Sequence, residues 1–173
     1  MESAQTLNCE TADKIASSVI ECCKRNGFAP ITVNVLDQSG LVVVSKRMDG
    51  CAPVGIPEFS HAKAYTCIVT KNASRAFRDK YTADGKPGKF CQMTSMVNIT
   101  GGKMAPFPGG IVLKSADGAV IGAVGVSGAS GDEDEYCALR GAIESGSGFV
   151  TVPEGPTCTT IKDTTESLQA LGL

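Results

Sequence analysis

The chain has 173 residues, of which 42% are hydrophobic and 20% are charged. That length suits a single domain whose core is large enough to fold without disulfides. The formal net charge of −2, with no basic stripe, predicts no binding to nucleic acid. No apolar run approaches the roughly 18–20 residues that span a bilayer, and the polar N-terminal segment lacks the apolar stretch of a secretory signal. We therefore expect a cytoplasmic protein with no membrane partner.

Eight cysteines are spread along the sequence, and His61 is the only histidine. No Cys-x-x-Cys pair occurs, so the closely paired ligands of a structural zinc site are missing. The cysteines fall on apolar faces of predicted elements, which indicates buried free thiols. The absence of a Cys-x-x-Cys-His motif also excludes covalently attached c-type haem.

The first predicted elements are a helix and a hairpin. Apolar residues recur at helical spacing from Thr11 to Asn26, and Gly27 follows where a left-handed C-cap belongs. The next segment, "ITVNVLDQSGLVVVSKR", contains two β-rich runs joined by the turn residues 37–40. This pattern predicts a β-hairpin.

The chain then continues with a second helix and, further on, a second hairpin. Helical spacing predicts a helix from about Pro57 to Arg78. Further on, "TADGKPGK" predicts a loop, and "FCQMTSMVNI" fits either a short helix or a strand. The segment "GGIVLKSADGAVIGAVGVSG" then predicts a second hairpin with its turn at residues 116–118.

A last helix is predicted from near Gly131 to about Ser145, burying Tyr136, Leu139, Ala142 and Ile143. The tail from Pro153 is expected to wrap the surface or to be partly disordered. Hairpins separated by helices predict an α+β fold with an antiparallel sheet. The repeated strand-helix-strand crossovers of a Rossmann sheet are missing.

The glycine-rich junction before this last helix resembles a phosphate loop only superficially. Residues 125–131 match neither the P-loop nor the dinucleotide motif. Acidic residues 132–135 follow, so a phosphate at this helix end would meet like charge. Helix capping by Ser130 or Asp132 explains the pattern better, with the acids complementing the helix dipole.

Asp134 and Glu135 lie at the N-terminus of this predicted helix, which affects the pKa of their carboxyl groups. A helix N-terminus stabilises an ionised carboxylate and so predicts a lowered pKa. A carboxylate of that kind is a poor general acid, although it remains a hydrogen-bond acceptor or a weak base.

Two further segments carry candidate binding residues. Arg47, Met48 and Asp49 follow a Val-rich strand, where Arg47 suits a ligand carboxylate or forms an ordinary surface pair with Asp49. His61 and Lys63 open the central helix, and imidazole is the usual proximal ligand of haem iron. A Ser-His-Asp hydrolase centred on Ser127 is excluded, because the Gly-x-Ser-x-Gly spacing is absent.

Together, "RMDG", "HAKAYT", "GGI", "GAVGVSG" and "DEDEYCALRGA" resemble the GlcG/HbpS-like haem-degrading domain family, which also forms the C-terminal part of PduO-type proteins. The resemblance covers roughly Cys9 to Ser145. It implies an α-β-α, profilin-like sandwich around an antiparallel sheet, with residues 1–150 as the domain and 151–173 as a C-terminal extension. It also implies homo-oligomers and, in some members, binding of haem or another tetrapyrrole.

The residue types and the resemblance together give a set of candidate cofactor-binding positions: Arg47, Met48, Asp49, His61, Lys63, Asp134 and Glu135. His61 departs from the family pattern, which has a small or aliphatic residue there. On the leading hypothesis the protein binds haem and assists its breakdown, with His61 or a methionine near the iron and Arg47 or Lys63 meeting the propionates. The alternatives are an oligomeric accessory protein or enzyme of small-carboxylate or diol metabolism that uses Arg47 and Asp134, and an assembly scaffold. The sequence leaves open whether any reaction is catalysed.

Overall fold

The computed structural model describes residues 6–154. Within these residues, five helices and five strands follow one another: α1 (Cys9–Asn26), β1 (Thr32–Asp37), β2 (Val42–Arg47), α2 (Ile56–Thr70), α3 (Ser74–Thr82), α4 (Pro87–Ile99), β3 (Gly110–Lys114), β4 (Val120–Ser127), α5 (Gly131–Glu144) and β5 (Val150–Val152). Within this part of the chain, no helix combines the length and apolar character needed to cross a membrane.

The strands form one antiparallel sheet in the order β2-β1-β4-β3-β5. Both predicted hairpins are present, and pairing of β1 with β4 joins them into a single sheet. Helices α1 and α5 cover one face, while α2 covers the other. This arrangement confirms the predicted α+β sandwich.

The two faces of the sheet differ in chemistry. The face under α1 and α5 carries large aliphatic side chains such as Val33, Val124 and Ile111, which form the main core. The face under α2 carries a smaller apolar cluster that includes Leu36 and Val112, together with Asn34 and Gly125. Because Gly110 and Gly125 have no side chains, the backbone of α2 lies close to β3 and β4 at these positions.

Glycines allow this close approach. A methyl group at Gly125 would collide with the backbone of α2 at Ser60 and Ala64, and one at Gly110 would collide with the Lys63 carbonyl group. Ser60 also donates a hydrogen bond to the Gly125 carbonyl oxygen at 2.9 Å and accepts one from the Asn34 amide at 2.9 Å. The glycine-rich strand is therefore a helix-packing surface.

The helix ends of α1 and α5 agree with the sequence analysis. Gly27 is the left-handed C-cap of α1, with φ of 67°. Ser130 caps α5 in a reciprocal capping box with Glu133. Of the side chains predicted to face the core from α5, three are buried and Ile143 is half-buried.

The single helix predicted from Pro57 to Arg78 is wrong, because the chain breaks it into α2 and α3. Lys71 adopts a left-handed conformation with φ of 55°, which ends α2. The side chain of Asn72 then accepts a hydrogen bond from the Ala73 N–H, and α3 starts one residue later. Helical apolar spacing continued across the break, so periodicity alone missed it.

The structure resolves one segment that the sequence left open and contains one further strand. The "FCQMTSMVNI" segment belongs to a helix, α4. Strand β5, which the sequence analysis did not predict, pairs with β3 at the edge of the sheet. The predicted surface tail lies, from residue 155 onward, outside the described residues, as does Cys158. The seven described cysteines are free thiols, and five of them are buried.

Candidate functional site

Polar side chains from three neighbouring strands meet at one end of the sheet. Thr32 of β1 pairs with Arg47 of β2 on one side and with Ser127 of β4 on the other. Paired residues of an antiparallel sheet project from the same face, and Ser127 contacts Lys63 of α2 at 3.4 Å. Arg47 therefore projects from the face of the sheet that α2 covers.

Edge strand β2 is the part of this face that α2 leaves open. Val42, Ser45 and Arg47 are exposed there, with 48% of Val42 accessible. Val43 and Val44 pack against the main core. We call the exposed surface formed by Val42, Ser45 and Arg47 the β2 shelf.

His61 and Tyr65 lie one helical turn apart on the flank of α2 that borders the β2 shelf. The Tyr65 ring reaches the β1–β2 turn, where a methyl group at Gly40 would lie 3.2 Å from the ring. The rings of His61 and Tyr65 are nearly parallel, with an interplanar angle of 16° and centroids 6.3 Å apart. Lys103 lies close by, its Nζ 6.0 Å from the Tyr65 ring centroid. This flank thus presents an imidazole, an aromatic ring and a cation together.

The imidazole of His61 is in a form that can bind a metal. Partial burial, with the nearby charge of Lys103, lowers the pKa of His61 below its usual 6.5. The side chain is consequently neutral at pH 7. Neutral imidazole has the free nitrogen lone pair that metal ligation requires.

Lys63 occupies a different environment from His61. Its ammonium group donates to Asp134 Oδ2 at 2.8 Å and to the Val126 carbonyl oxygen at 2.8 Å, while the Phe107 ring centroid lies 5.2 Å away. The Lys63 and Asp134 side chains are each 2% exposed. The structure therefore corrects the predicted role of Lys63 in meeting a propionate, because its donors are already used inside the protein.

Burial also reverses the expected direction of the pKa shift of Asp134. Removal of the carboxyl group from water raises its pKa to about 6, although Lys63 and the Ala129 N–H favour the charged form. The prediction of a lowered pKa from the helix N-terminus is thus wrong. Burial likewise lowers the pKa of Lys63 from its usual value. In the alternative hypothesis, Asp134 binds a small ligand together with Arg47. The Asp134 side chain is buried and therefore cannot reach such a ligand.

Glu135 is held by a residue that the sequence analysis missed. Arg75 Nε lies 2.9 Å and 3.1 Å from the two carboxylate oxygens of Glu135, and its Nη2 pairs with Asp132. Burial lowers the pKa of Arg75, but the hydrogen bond to Asp132 and the charge of Glu135 outweigh it, so the pKa lies above its usual value. The acidic run is therefore bound to α2 and α3 by Lys63 and Arg75.

The "RMDG" residues have separate roles. Met48 packs against the main core, and its sulfur accepts a hydrogen bond from the Ile31 N–H at 3.5 Å. Arg47 donates from Nη1 to the Cys51 carbonyl oxygen at 3.0 Å, which fixes the guanidinium beside the β2 shelf. Asp49 is exposed in the turn that follows β2.

Of the predicted residues, Arg47 is part of the β2 shelf and His61 lies on the flank of α2 beside it. Lys63, Asp134 and Glu135 lie in the buried ion-pair cluster, and Met48 is a core residue. Tyr65 and Lys103 lie beside His61 as well, and of these two the sequence analysis missed Lys103. The helical spacing of Tyr65 from His61 was a usable signal, whereas nothing in the sequence brings Lys103 next to them.

The sequence matches the family model described as "Haem degrading protein HbpS-like" over residues 7–143. None of the curated proteins is similar enough to count as a relative. Several solved structures are similar. The haem complex of PduOC is 25% identical, with a TM-score of 0.67, and the alignment covers 79% of this chain and 93% of that one.

HbpS is 26% identical with a TM-score of 0.66, over 82% of this chain and 92% of that chain. A double mutant of HbpS from Streptomyces reticuli gives the same identity and TM-score. The Klebsiella pneumoniae protein ORFY is 22% identical with a TM-score of 0.70, over 82% of this chain and 92% of that chain. At that identity the last comparison supports the fold alone.

Proposed function

Because the chain belongs to the HbpS-like haem-degrading protein family, we propose that it binds haem on the β2 shelf, with His61 as the protein ligand to iron. The observation that supports this most directly is the position of His61. The only histidine of the chain is half-buried, uncharged at neutral pH and located at the border of an exposed part of the sheet.

The surroundings of His61 fit the chemistry of a haem. A porphyrin needs an apolar surface for its ring, and Val42 and the Tyr65 ring provide one. Its two propionates need cations, which Arg47 and Lys103 can supply from the shelf and from the outer side of α2. In this proposal Arg47 and Lys103, and not Lys63, bind the propionates.

Assistance in haem breakdown is the further part of the proposal. Bound haem would supply the one-electron and O₂ chemistry that its breakdown requires. The residues of this chain would bind and orient the ring, with the neutral His61 side chain as the ligand to iron and Arg47 as a partner of a propionate. Among similar structures, the haem complex of PduOC supports the binding step.

We also propose that the protein forms homo-oligomers. A second exposed surface carries Val54, Phe59 and Phe107, which are 83%, 47% and 38% accessible. The two phenylalanine rings contact edge to face with centroids 6.2 Å apart. Apolar groups gathered on a surface are typical of association sites. Light scattering should show an oligomer that the Phe59→Asp variant converts to a smaller species.

Haemin titration followed by absorbance tests the binding proposal. Wild-type protein should shift and sharpen the Soret band of haemin at micromolar concentrations. Arg47→Gln and Lys103→Gln should each weaken haemin binding, because each removes a cation near the ring. Lys14→Gln is a matched control on the exposed side of α1, where Lys14 pairs with Glu10, and should leave binding unchanged. Titrations identical for all four proteins would contradict the placement of haem on the β2 shelf.

A further inference from the structure

A second concave site lies at the opposite end of the sheet, between the two hairpin turns and the last turn of α2. It is an open cavity of about 600 Å³, which falls within the range of small-molecule sites. Its lining includes four polar or charged side chains and two large apolar ones: Gln38, Ser39, Lys71, Lys114, Ile68 and Val120. Lys71 follows His61 by ten residues, so the cavity lies roughly 15 Å further along α2.

The side chains that line the cavity carry positive charge and no negative charge. Among residues 6–154, no ion pair includes Lys71 or Lys114. Nor does either ammonium group donate to another described group. In a chain with more acidic than basic residues, two lysines that line one cavity without an acidic partner indicate a site for an anion.

The carboxylates nearest to the cavity belong to the hairpin turns and are used there. Asp37 Oδ1 accepts hydrogen bonds from the N–H groups of Ser39 at 2.8 Å and Leu41 at 3.0 Å. Asp117 Oδ1 accepts a hydrogen bond from the Ser115 hydroxyl group. Each carboxylate thus stabilises its own turn, and neither forms an ion pair with a lysine of the cavity.

We propose that this cavity binds a small dianionic metabolite, whose phosphate or paired carboxylates lie between Lys71 and Lys114. Lysine binds such groups as a point charge. The hydroxyl of Ser39 and the amide of Gln38 can hydrogen-bond the anion, and Ile68 and Val120 can pack against a short carbon skeleton. The site lies at the opposite end of the sheet from Arg47 and does not depend on haem.

Titration of ¹⁵N-labelled protein with inorganic phosphate, and separately with succinate, tests this proposal. The expected result is a saturable shift of the backbone signals of Ser39, Gly118 and Ala119 with at least one of the two probes. The preferred probe identifies the source of the dianion as phosphate or dicarboxylate. In Lys71→Gln and Lys114→Gln, affinity should fall about tenfold, as expected for loss of one charge-assisted hydrogen bond.

Lys14→Gln has the same charge change away from the cavity and should bind the probe like wild type. Two outcomes of the probe titrations would overturn the proposal. One is the absence of saturable shifts with either probe. The other is unchanged probe affinity in both lysine variants, which would leave Lys71 only the ordinary role of offsetting the dipole at the end of α2. Haemin binding should be equal in all three variants. A loss of haemin binding in place of probe binding would assign the lysines to the haem site and also overturn the proposal.

Discussion

Lys63 and Asp134 form an ion pair 2.8 Å long, although their helices lie on opposite faces of the sheet. They meet at the end of β4, where Val126 and Ser127 contact the same ammonium group. The pair therefore links α2 to α5 across the end of the sheet and holds the two layers in register.

Removal of one partner of this pair should destabilise the protein strongly. Lys63→Met leaves the Asp134 carboxyl buried without its cation, and loss of a single partner of a buried pair typically costs about 3–5 kcal/mol. Urea unfolding followed by circular dichroism measures the change. Lys24→Met is a matched control in the exposed Lys24–Glu21 pair and should cost less than about 1 kcal/mol. Equal losses in the two variants would show that burial of the Lys63 pair has no energetic consequence.

The raised pKa of Asp134 predicts a particular dependence of stability on pH. The folded-state pKa is about 6, against a reference value of 3.8. Between these values the folded state keeps a proton that the unfolded state releases. The contribution of Asp134 to the free energy of unfolding should therefore fall as pH rises through this window and level off above it.

Urea unfolding at a series of pH values, compared between wild type and Asp134→Asn, isolates this contribution. The difference between the two proteins should change across the window and be constant above about pH 7. A difference that rises with pH instead would mean that the pKa of Asp134 is lowered, as the helix N-terminus alone predicts.

Gly125 should not tolerate a side chain. A methyl group there would collide with the Ser60 carbonyl group and the Ala64 N–H of α2, so the helix would have to move away from the sheet. We expect Gly125→Ala to cost at least about 1–3 kcal/mol, the usual penalty of overpacking. Thermal unfolding provides the measurement. Gly88→Ala, in α4 with open space around the new methyl group, should be neutral or stabilising, and equal effects in both variants would contradict close packing at Gly125.

Much of the fold could be predicted from the sequence because its signals are local. The apolar spacing and the Gly27 cap define α1, and the Asp-Gly type turns define the hairpins. The break at Lys71 was missed, since a left-handed lysine has no reliable local signal and helical spacing continued into α3. Strand β5 was missed because three residues are too few for a periodic pattern.

The site was less predictable, because burial depends on the whole fold. Lys63 and His61 are two residues apart in sequence, yet one is enclosed with Asp134 and the other borders open surface. The acidic run suggested first-turn carboxylates that only complement the helix dipole, but α3 brings Arg75 onto Glu135. Only the three-dimensional packing distinguishes a binding residue from a buried ion pair here.

The ionisation of His61 can be measured directly, because it is the only histidine. A pH titration of its ring protons by NMR should give a pKa below 6.5, since partial burial and Lys103 disfavour the imidazolium. In Lys103→Gln the pKa should rise towards the usual value. As pH falls below 6.5, the unfolded state binds this proton more readily, so His61 should lower stability at acid pH. A pKa above 6.5 would contradict the environment described for the ring.

Ligation of haem iron by His61 is tested most directly by the absorbance spectrum of haemin with His61→Gly, before and after addition of free imidazole. The variant should fold like wild type by circular dichroism but lose the wild-type Soret shift. Free imidazole, which can enter the space left by the side chain, should restore the wild-type spectrum. A His61→Gly variant that binds haemin with an unchanged spectrum in the absence of imidazole would contradict the account.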